Sequence, residues 1–364
     1  MSGAATGILP SLKTPLSALT GHTHPVYSLT VVGTQNANHL ITASTDGLVC
    51  TWMLPDMLAR PVDSVQLLNS SHPKTDEVSI TSLGFLQQGR VETNAFWVGT
   101  EDGGLWMASR FDRAGAKAGL QAQSSQSHAA PVTGLDFHRA SSAGTSMNGV
   151  DFSDLMLSSS MDWTTRLWRA TPGNSSTGSS SSSSSNTPTS SSGNRSTTVP
   201  LLTFDDYNDY VTSVQWHPNH PSLFASCDAS GTVHVHDLLR DTERAISQVR
   251  IGPEGSVMPV KDGASGSKGA AASASSSYAI SENVGLNKLA WEKSTSPRRL
   301  ACGGTDGRVV VLDVGAGVLG ASITGEEWVE LGRLVGRATT AASASNTGGN
   351  AAAGLGAGRF GLGR

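Results

Sequence analysis

Residues 155–168 read LMLSSSMDWTTRLW, and a histidine, His128, lies upstream of them. Serine, histidine and aspartate are the parts of a hydrolytic triad, in which the imidazole takes the serine proton and the acid orients the imidazole. The same residue types also serve as buried hydrogen-bonding struts, where no bond is broken. The chain contains the set twice. His22, Thr42 or Ser44, Asp46 and Trp52 stand in one stretch; His128, Ser158 or Ser160, Asp162 and Trp168 stand in another. A hydrolase uses one triad, with an oxyanion hole beside the nucleophile. Two copies in step with a repeat point to architecture. His22, Ser44, Asp46 and Trp52, with His128, Ser158, Asp162 and Trp168, are therefore read as structural tetrads, and the chain is expected not to be an enzyme.

Other chemistry is poorly supported. His22 and His24 lack the Cys, Asp or Glu neighbours that would complete a metal shell. His234 and His236 alternate, so a strand would put both on one face, where packing is the simpler reading. The glycines of GTEDGG and CGGTDGR are turn glycines, since neither stretch has the spacing of a phosphate-binding loop opening a helix. Lys293, Arg298 and Arg299 make a small basic spot that reads as a solvated loop; a nucleic-acid surface would need a broader basic stripe with aromatics. No cofactor, metal or nucleic-acid partner is expected. The acidic run Asp205-Asp206, with Asp209 close by, fits a loop entering a strand.

Such residues need strands and turns to hold them, and five segments share one grammar. Each has an alternating strand, a second strand ending in small residues, an acid or glycine turn, and a third strand. They begin HPVYSLTVV, VSITSLGFL, APVTGLDFH, DYVTSVQWHP and GLNKLAWE. Period-two alternation marks strands with one buried face. The turn positions Gly47, Gly103, Trp163, Gly231 and Gly307 are spaced by 56, 60, 68 and 76 residues. These gaps exceed the roughly 40–45 residues of a WD-type repeat, and low-complexity inserts account for the largest excesses. Residues 171–199 (Ser-rich) and 253–283 (Ala/Ser/Gly-rich) bury too little apolar surface to offset ordering and are expected to be flexible. Residues 1–12 and the Ala/Gly-rich tail 338–364 are expected to be disordered. EEWVELGRLVGR places Trp328, Leu331 and Val335 on one helical face.

Bulk composition agrees. The 364 residues carry a net charge of −4 with 15% charged residues, so no basic field draws the chain to nucleic acid. Apolar content is 37%, with 41 glycines; globular domains usually reach about 45–50% apolar. Cys50, Cys227 and Cys302 are far apart, which disfavours zinc and a disulfide framework and fits a reducing compartment. The first residues lack a secretory signal pattern, and no 18-residue apolar run occurs. A soluble, intracellular protein without membrane partners is expected.

The repeats resemble WD-repeat β-propeller blades. Gly21-His22 and Ser127-His128 precede first strands, Trp52 and Trp168 close third strands, and Asp237 and Asp313 stand at the terminal acid position. The fold is expected to be all-β, with about five recognisable four-stranded blades over 13–337, part of a ring for which seven blades would be usual. In the fourth repeat Tyr207 and His236 stand where His and Trp would, so its relay is expected to be lost.

KTPLSALTGHTHPVYSLTVVGTQNANHLITASTDGLVCTW resembles the intermediate chain of cytoplasmic dynein, as do VDFSDLMLSSSMDWTTRLW, YVTSVQWHPNHPSLFASCDASGTVHVHDL and EEWVELGRLVGR. The resemblance runs from about Lys13 to Arg337 and is most specific at VVGTQNA, which a generic WD repeat does not require. It implies a non-catalytic subunit, cytoplasmic and on the microtubule cytoskeleton, whose propeller binds the dynein heavy chain tail and supports microtubule-based transport. Family members also carry an N-terminal coiled coil with short sites for dynein light chains and dynactin; nothing of that kind precedes Lys13 here, so the chain reads as the C-terminal portion of such a subunit, or as a truncated gene product. A generic WD-repeat adaptor or substrate receptor is the alternative. The expected partner-facing residues are His24, Pro25, Asp102, Trp163 and Asp209, on loops before first strands and between second and third strands.

Overall fold

Alternating apolar residues make strands, and left-handed glycines let those strands reverse tightly. Gly47, Gly103, Gly231 and Gly307 have φ of 76°, 84°, 87° and 83°, a region that costs L-residues with a Cβ about 1–2 kcal/mol. The computed structural model describes residues 13–15, 20–34, 37–53, 58–69, 77–88, 91–109, 117–120, 122–123, 127–138, 152–170, 199–252, 255–260, 284–294, 296–319 and 325–349. The expected disordered N-terminus 1–12 lies outside them, as do 171–198, 261–283 and 350–364 of the segments expected to be flexible.

Nine strands come first: β1 (Val26–Thr34), β2 (Ala37–Ser44), β3 (Leu48–Met53), β4 (Asp63–Leu68), β5 (Ile80–Gln88), β6 (Val91–Thr100), β7 (Leu105–Ser109), β8 (Lys117–Gly119) and β9 (Ala122–Gln123). They form one sheet ordered β1-β2-β3-β4-β8 and another ordered β5-β6-β7-β9. Then follow β10 (Val132–Phe137), β11 (Leu155–Ser160), β12 (Thr165–Arg169) and β13 (Leu202–Phe204), a sheet in that order. The fourth sheet is β14 (Val211–Trp216), β15 (Leu223–Asp228), β16 (Thr232–Asp237), β17 (Ser247–Ile251) and β18 (Val257–Pro259). The fifth is β19 (Leu286–Trp291), β20 (Arg299–Gly304) and β21 (Val309–Asp313). β4 and β8 pair in parallel, whereas pairs such as β1–β2, β11–β12 and β14–β15 are antiparallel. Among the described residues, five sheets of three to five strands answer the five repeats one for one.

Four of the sheets share a bulge at one position. Register shifts between Val26 and Ser28, Ile80 and Ser82, Val211 and Ser213, and Leu286 and Lys288. The bulged threonines are used alike: Thr81 Oγ1 donates to Val132 O at 2.6 Å, and Thr212 Oγ1 to Leu286 O at 2.8 Å. A residue left unpaired by its own ladder thus bonds a carbonyl at the start of the next first strand.

The chain divides into two compact units. One holds residues 1–135 and 177–197, the other 136–176 and 198–364. The first is built on Ile41, Val49, Leu67, Ile80, Leu83, Phe96 and Val98. On its β1, Val26, Tyr27, Leu29 and Val31 are 45–63% exposed. In the second, one cluster joins Phe152, Leu155, Leu157, Phe204, Val214, Trp216 and Phe224, and another joins Ala225, Val233, Leu286, Leu289, Trp291 and Leu300. Each such large side chain contributes about 1.5–3 kcal/mol on burial.

Two helices, α1 (Ala316–Leu319) and α2 (Gly325–Gly349), belong to the second unit. Glu326 and Glu327 occupy the first turn of α2, where negative charge suits the helix dipole. Leu331 and Val335 are buried against the first cluster, and Trp328 stacks on Phe152 at 5.8 Å. The helix runs on to Gly349, into the tail expected to be disordered from Ala338. Alanine is the strongest helix former, and Thr339 and Thr340 turn their hydroxyls onto Val335 O and Gly336 O. A second departure is β18, which lies inside the segment 253–283 expected to be flexible. Its backbone pairs with β17 although all three residues are exposed, so ladder hydrogen bonds hold it rather than burial. Among the described residues no helix is long and apolar enough to cross a membrane.

Candidate functional site

The turn between β2 and β3 gathers the first relay. Trp52 Nε1 donates to Thr42 Oγ1 at 2.8 Å, and Thr42 Oγ1 lies 2.7 Å from His22 Nε2. The Asp46 carboxylate accepts only, which puts the His22 proton on Nδ1 and leaves Nε2 to accept from the Thr42 hydroxyl. Nδ1–H then faces Asp46 Oδ1 at 3.4 Å. The Asp46 carboxylate also accepts from the amides of Leu48 and Thr23, each at 2.9 Å. Burial pulls this carboxyl upward, but those two amides and His22 outweigh it and hold its pKa below the usual value. The relay ties the approach to β1 onto the β2–β3 turn.

Thr42, and not Ser44, supplies the shared hydroxyl; Ser44 Oγ instead accepts from the Asp46 amide at 3.4 Å. Register explains the choice. Leu40 pairs with Trp52, Thr42 is the next residue on that face, and Ser44 is about 6.6 Å farther along the strand. The same offset holds in the third sheet, where Met156 pairs with Trp168 and Ser158 Oγ accepts from Trp168 Nε1 at 2.7 Å. A ten-residue separation between hydroxyl and tryptophan was the signal in the sequence that selects Thr42.

Ser158, Ser159 and Ser160 are all 0% exposed. Asp162 Oδ1 accepts from the Thr164 amide at 3.1 Å and from its hydroxyl at 2.6 Å, and the Asp162 amide donates to Ser160 Oγ at 3.1 Å. A nucleophile must be approached by its substrate, whereas Ser158 is sealed in a strand and holds an indole proton. His128 is buried in the first unit, and a Cβ at Gly103 would stand 2.2 Å from its carbonyl oxygen.

The fourth sheet has a different relay, where loss was expected. Tyr207 Oη donates to Thr165 Oγ1 at 2.9 Å, and lies 2.8 Å from Ser226 Oγ and 3.2 Å from His236 Nε2. With the phenol proton spent on Thr165, Ser226 and His236 act as donors to the phenol oxygen. His236 stacks on Phe224 at 4.6 Å and packs edgewise on Phe204 at 5.1 Å. Burial in that apolar cage, with His234 beside it, pushes the imidazole down to about 3. Burial likewise raises Tyr207.

Sequence reasoning missed Asp228. The first sheet reads Ser44-Thr45-Asp46-Gly47, and the fourth reads Asp228-Ala229-Ser230-Gly231. Acid and hydroxyl have exchanged places, which carries the carboxylate onto β15 at 0% exposure. Asp228 Oδ1 accepts from the Ser230 and Thr232 amides at 3.1 and 2.9 Å and from Ser230 Oγ at 2.7 Å. Oδ2 meets His234 Nε2 at 3.1 Å. His234 is thus the acid's partner rather than half of a metal site. Among the described residues no group of three or more His, Cys, Asp or Glu could hold a metal ion. The three cysteines are buried and unpaired with one another, and burial raises each to about 12, so none is a ready thiolate.

Of the expected partner-facing residues, His24, Pro25 and Asp102 are exposed in the first unit. Asp102 lines a cleft of about 290 Å³ with Glu77, Glu101 and Trp106. Trp163 and Asp209 belong to the second unit. Trp163 is 46% exposed, and its ring meets Tyr210 edgewise at 6.4 Å. Asp209 Oδ1 accepts from the Tyr210 amide at 2.8 Å.

Comparison with known proteins follows the same lines. The family described as "WD domain, G-beta repeat" matches residues 13–52 and 198–237. The cytoplasmic dynein 1 intermediate chain of Drosophila melanogaster is 37% identical over 234 residues, which cover 64% of this chain and 29% of that relative. The chain therefore spans about 29% of the relative's length. The chain is all-β, built of repeated small sheets, carries two stretches that match the WD repeat, and is similar over 64% of its length to a cytoplasmic dynein intermediate chain.

Proposed function

We propose that the chain serves as a non-catalytic intermediate-chain subunit of cytoplasmic dynein, a scaffold that binds the dynein heavy chain tail and supports microtubule-based transport in the cytoplasm. The carrying observation is the 37% identity to the fly intermediate chain over 64% of this chain. Repeated small sheets leave loop ends free for protein contacts, and they need no chemistry of their own. The buried serines support the same reading, since the constellation that most resembles a hydrolase is occupied in holding strands together. In this reading ATP hydrolysis belongs to the heavy chain. Light chains are further proposed partners, through the N-terminal region of such a subunit. His24, Pro25 and Asp102 on one unit, and Trp163 and Asp209 on the other, are the proposed partner-facing positions.

The test is co-purification of the chain with a tagged heavy chain tail at low salt. Retention on the tail, and loss of retention with an unrelated WD-repeat protein, is the expected result. Absence of association at low salt would remove the proposal and leave a generic WD-repeat adaptor as the better description.

A further inference from the structure

The turn between second and third strands has glycine in four repeats and Trp163 in one. Trp163 nevertheless keeps the left-handed conformation, with φ 65°, which disfavours a bulky side chain by about 1–2 kcal/mol. The strained position does not serve the blade's core. The indole is 46% exposed, and beside it in the chain Met161 is 41% exposed. Tyr210, whose ring it touches, is 50% exposed. Tryptophan and tyrosine dominate the energetics of protein interfaces, and a contiguous exposed aromatic pair is the mark of such a surface.

The loop beside this pair says what it would hold. Residues 205–210 run from β13 to β14 as Asp-Asp-Tyr-Asn-Asp-Tyr. The buried Tyr207 anchors the loop through Thr165. Asp205 and Asp206 are exposed and Asp209 half-buried; Asp206 accepts from Gln248, and Asp209 shapes the entry to Tyr210. Arg166, the nearest arginine to the turn in sequence, is already engaged with Asp162 at 3.7 Å. The surface therefore offers aromatic faces and three carboxylates on an anchored loop.

We infer that Met161, Trp163 and Tyr210, with Asp205, Asp206 and Asp209, form a docking face for an arginine-bearing basic segment of a partner protein. A guanidinium lies over the Trp163 ring while the acidic loop complements its charge. The inference rests on the reading that Trp163 and Asp209 face a partner, and it adds the chemistry of that partner.

The test uses the full chain labelled with 5-fluorotryptophan, the Trp163 resonance being the one missing from Trp163→Gly. Glycine occupies that turn in four other repeats, so this variant keeps its fold. The probes are a short peptide with three arginines and its glutamine counterpart. The arginine peptide should shift the Trp163 resonance and bind about tenfold more tightly than the glutamine peptide. Raised salt should weaken it, and the triple change Asp205→Asn, Asp206→Asn, Asp209→Asn should weaken it severalfold. Equal shifts with both peptides, or none with either, overturn the inference. Heavy-chain-tail retention is read separately: retention undiminished in Trp163→Gly sinks this docking face while the proposed function stands.

Discussion

The first and fourth sheets solve one problem in two ways. In the first, the acid sits in the turn, half-buried at Asp46, and its imidazole partner comes from the chain before β1. In the fourth, the acid sits on the strand itself at Asp228, fully buried, and its partner His234 comes from the neighbouring strand. The indole–hydroxyl link of Trp52 and Thr42 becomes a phenol–hydroxyl–imidazole set of Tyr207, Ser226 and His236. The serine–aspartate exchange is tolerable because position 234, cysteine at the matching Cys50, has become histidine. A fully buried carboxylate without a partner would be worse than one that keeps some contact with water. The comparison teaches that the blade needs its polar groups paired, and that the identity of the pair is free to change as a set.

That difference predicts unequal costs. Asp228→Ala leaves several buried donors and His234 without an acceptor, and should destabilise by about 3–5 kcal/mol. Asp46→Ala, on a turn that water reaches, should cost about 1–2 kcal/mol. Urea titrations followed by tryptophan fluorescence compare the two, and equal midpoints would dissolve the contrast.

Acid should separate the two arrangements next. His236, in the fourth sheet's relay, and His217, just after β14 and outside both relays, are held down to about 3 and about 4, in both cases chiefly by burial. Their unfolded forms take up protons near pH 6.5 while the folded forms do not, so stability is lost as pH falls below 6.5 toward those values. The slope should be about 1.4 kcal/mol per pH unit for each histidine. Urea midpoints between pH 7 and pH 5 measure it, and His236→Leu should remove the His236 share, about half of the slope from this pair.

Within the first relay, Thr42→Val keeps the shape and removes the hydroxyl shared by Trp52 and His22, at about 1–2 kcal/mol. Ser44→Ala should cost under about 0.5 kcal/mol, since only a 3.4 Å contact from the Asp46 amide is lost. A larger loss at Ser44 would reverse the assignment. One effect has the opposite sign: Trp163→Gly should raise stability by about 0.5–1 kcal/mol, because glycine relieves the left-handed strain. Differential scanning calorimetry of the full chain reads the change.

Much of this was legible in the residues. Alternation located the first strands, the glycines marked the turns, and Trp52 and Trp168 announced where third strands close. Ser44 was misjudged because spelling shows only that a hydroxyl is near, whereas pairing register sets which one reaches the indole. The length of α2 was underread because apolar periodicity ends near Val335, while alanine propensity and threonine back-bonding carry the helix to Gly349. β18 was underread because an exposed strand leaves no alternation to find.

By itself the sequence determined the class of fold and the number of repeats, since period-two burial and left-handed glycine are local properties of a chain. Tertiary structure alone decided the pairings: that Thr42 joins His22 to Trp52, that Asp228 is answered by His234, and that Trp163 is left facing water beside Tyr210. Hydrogen bonds and ring contacts between residues six, ten, twenty or more positions apart depend on how strands are set side by side, and no local preference encodes that.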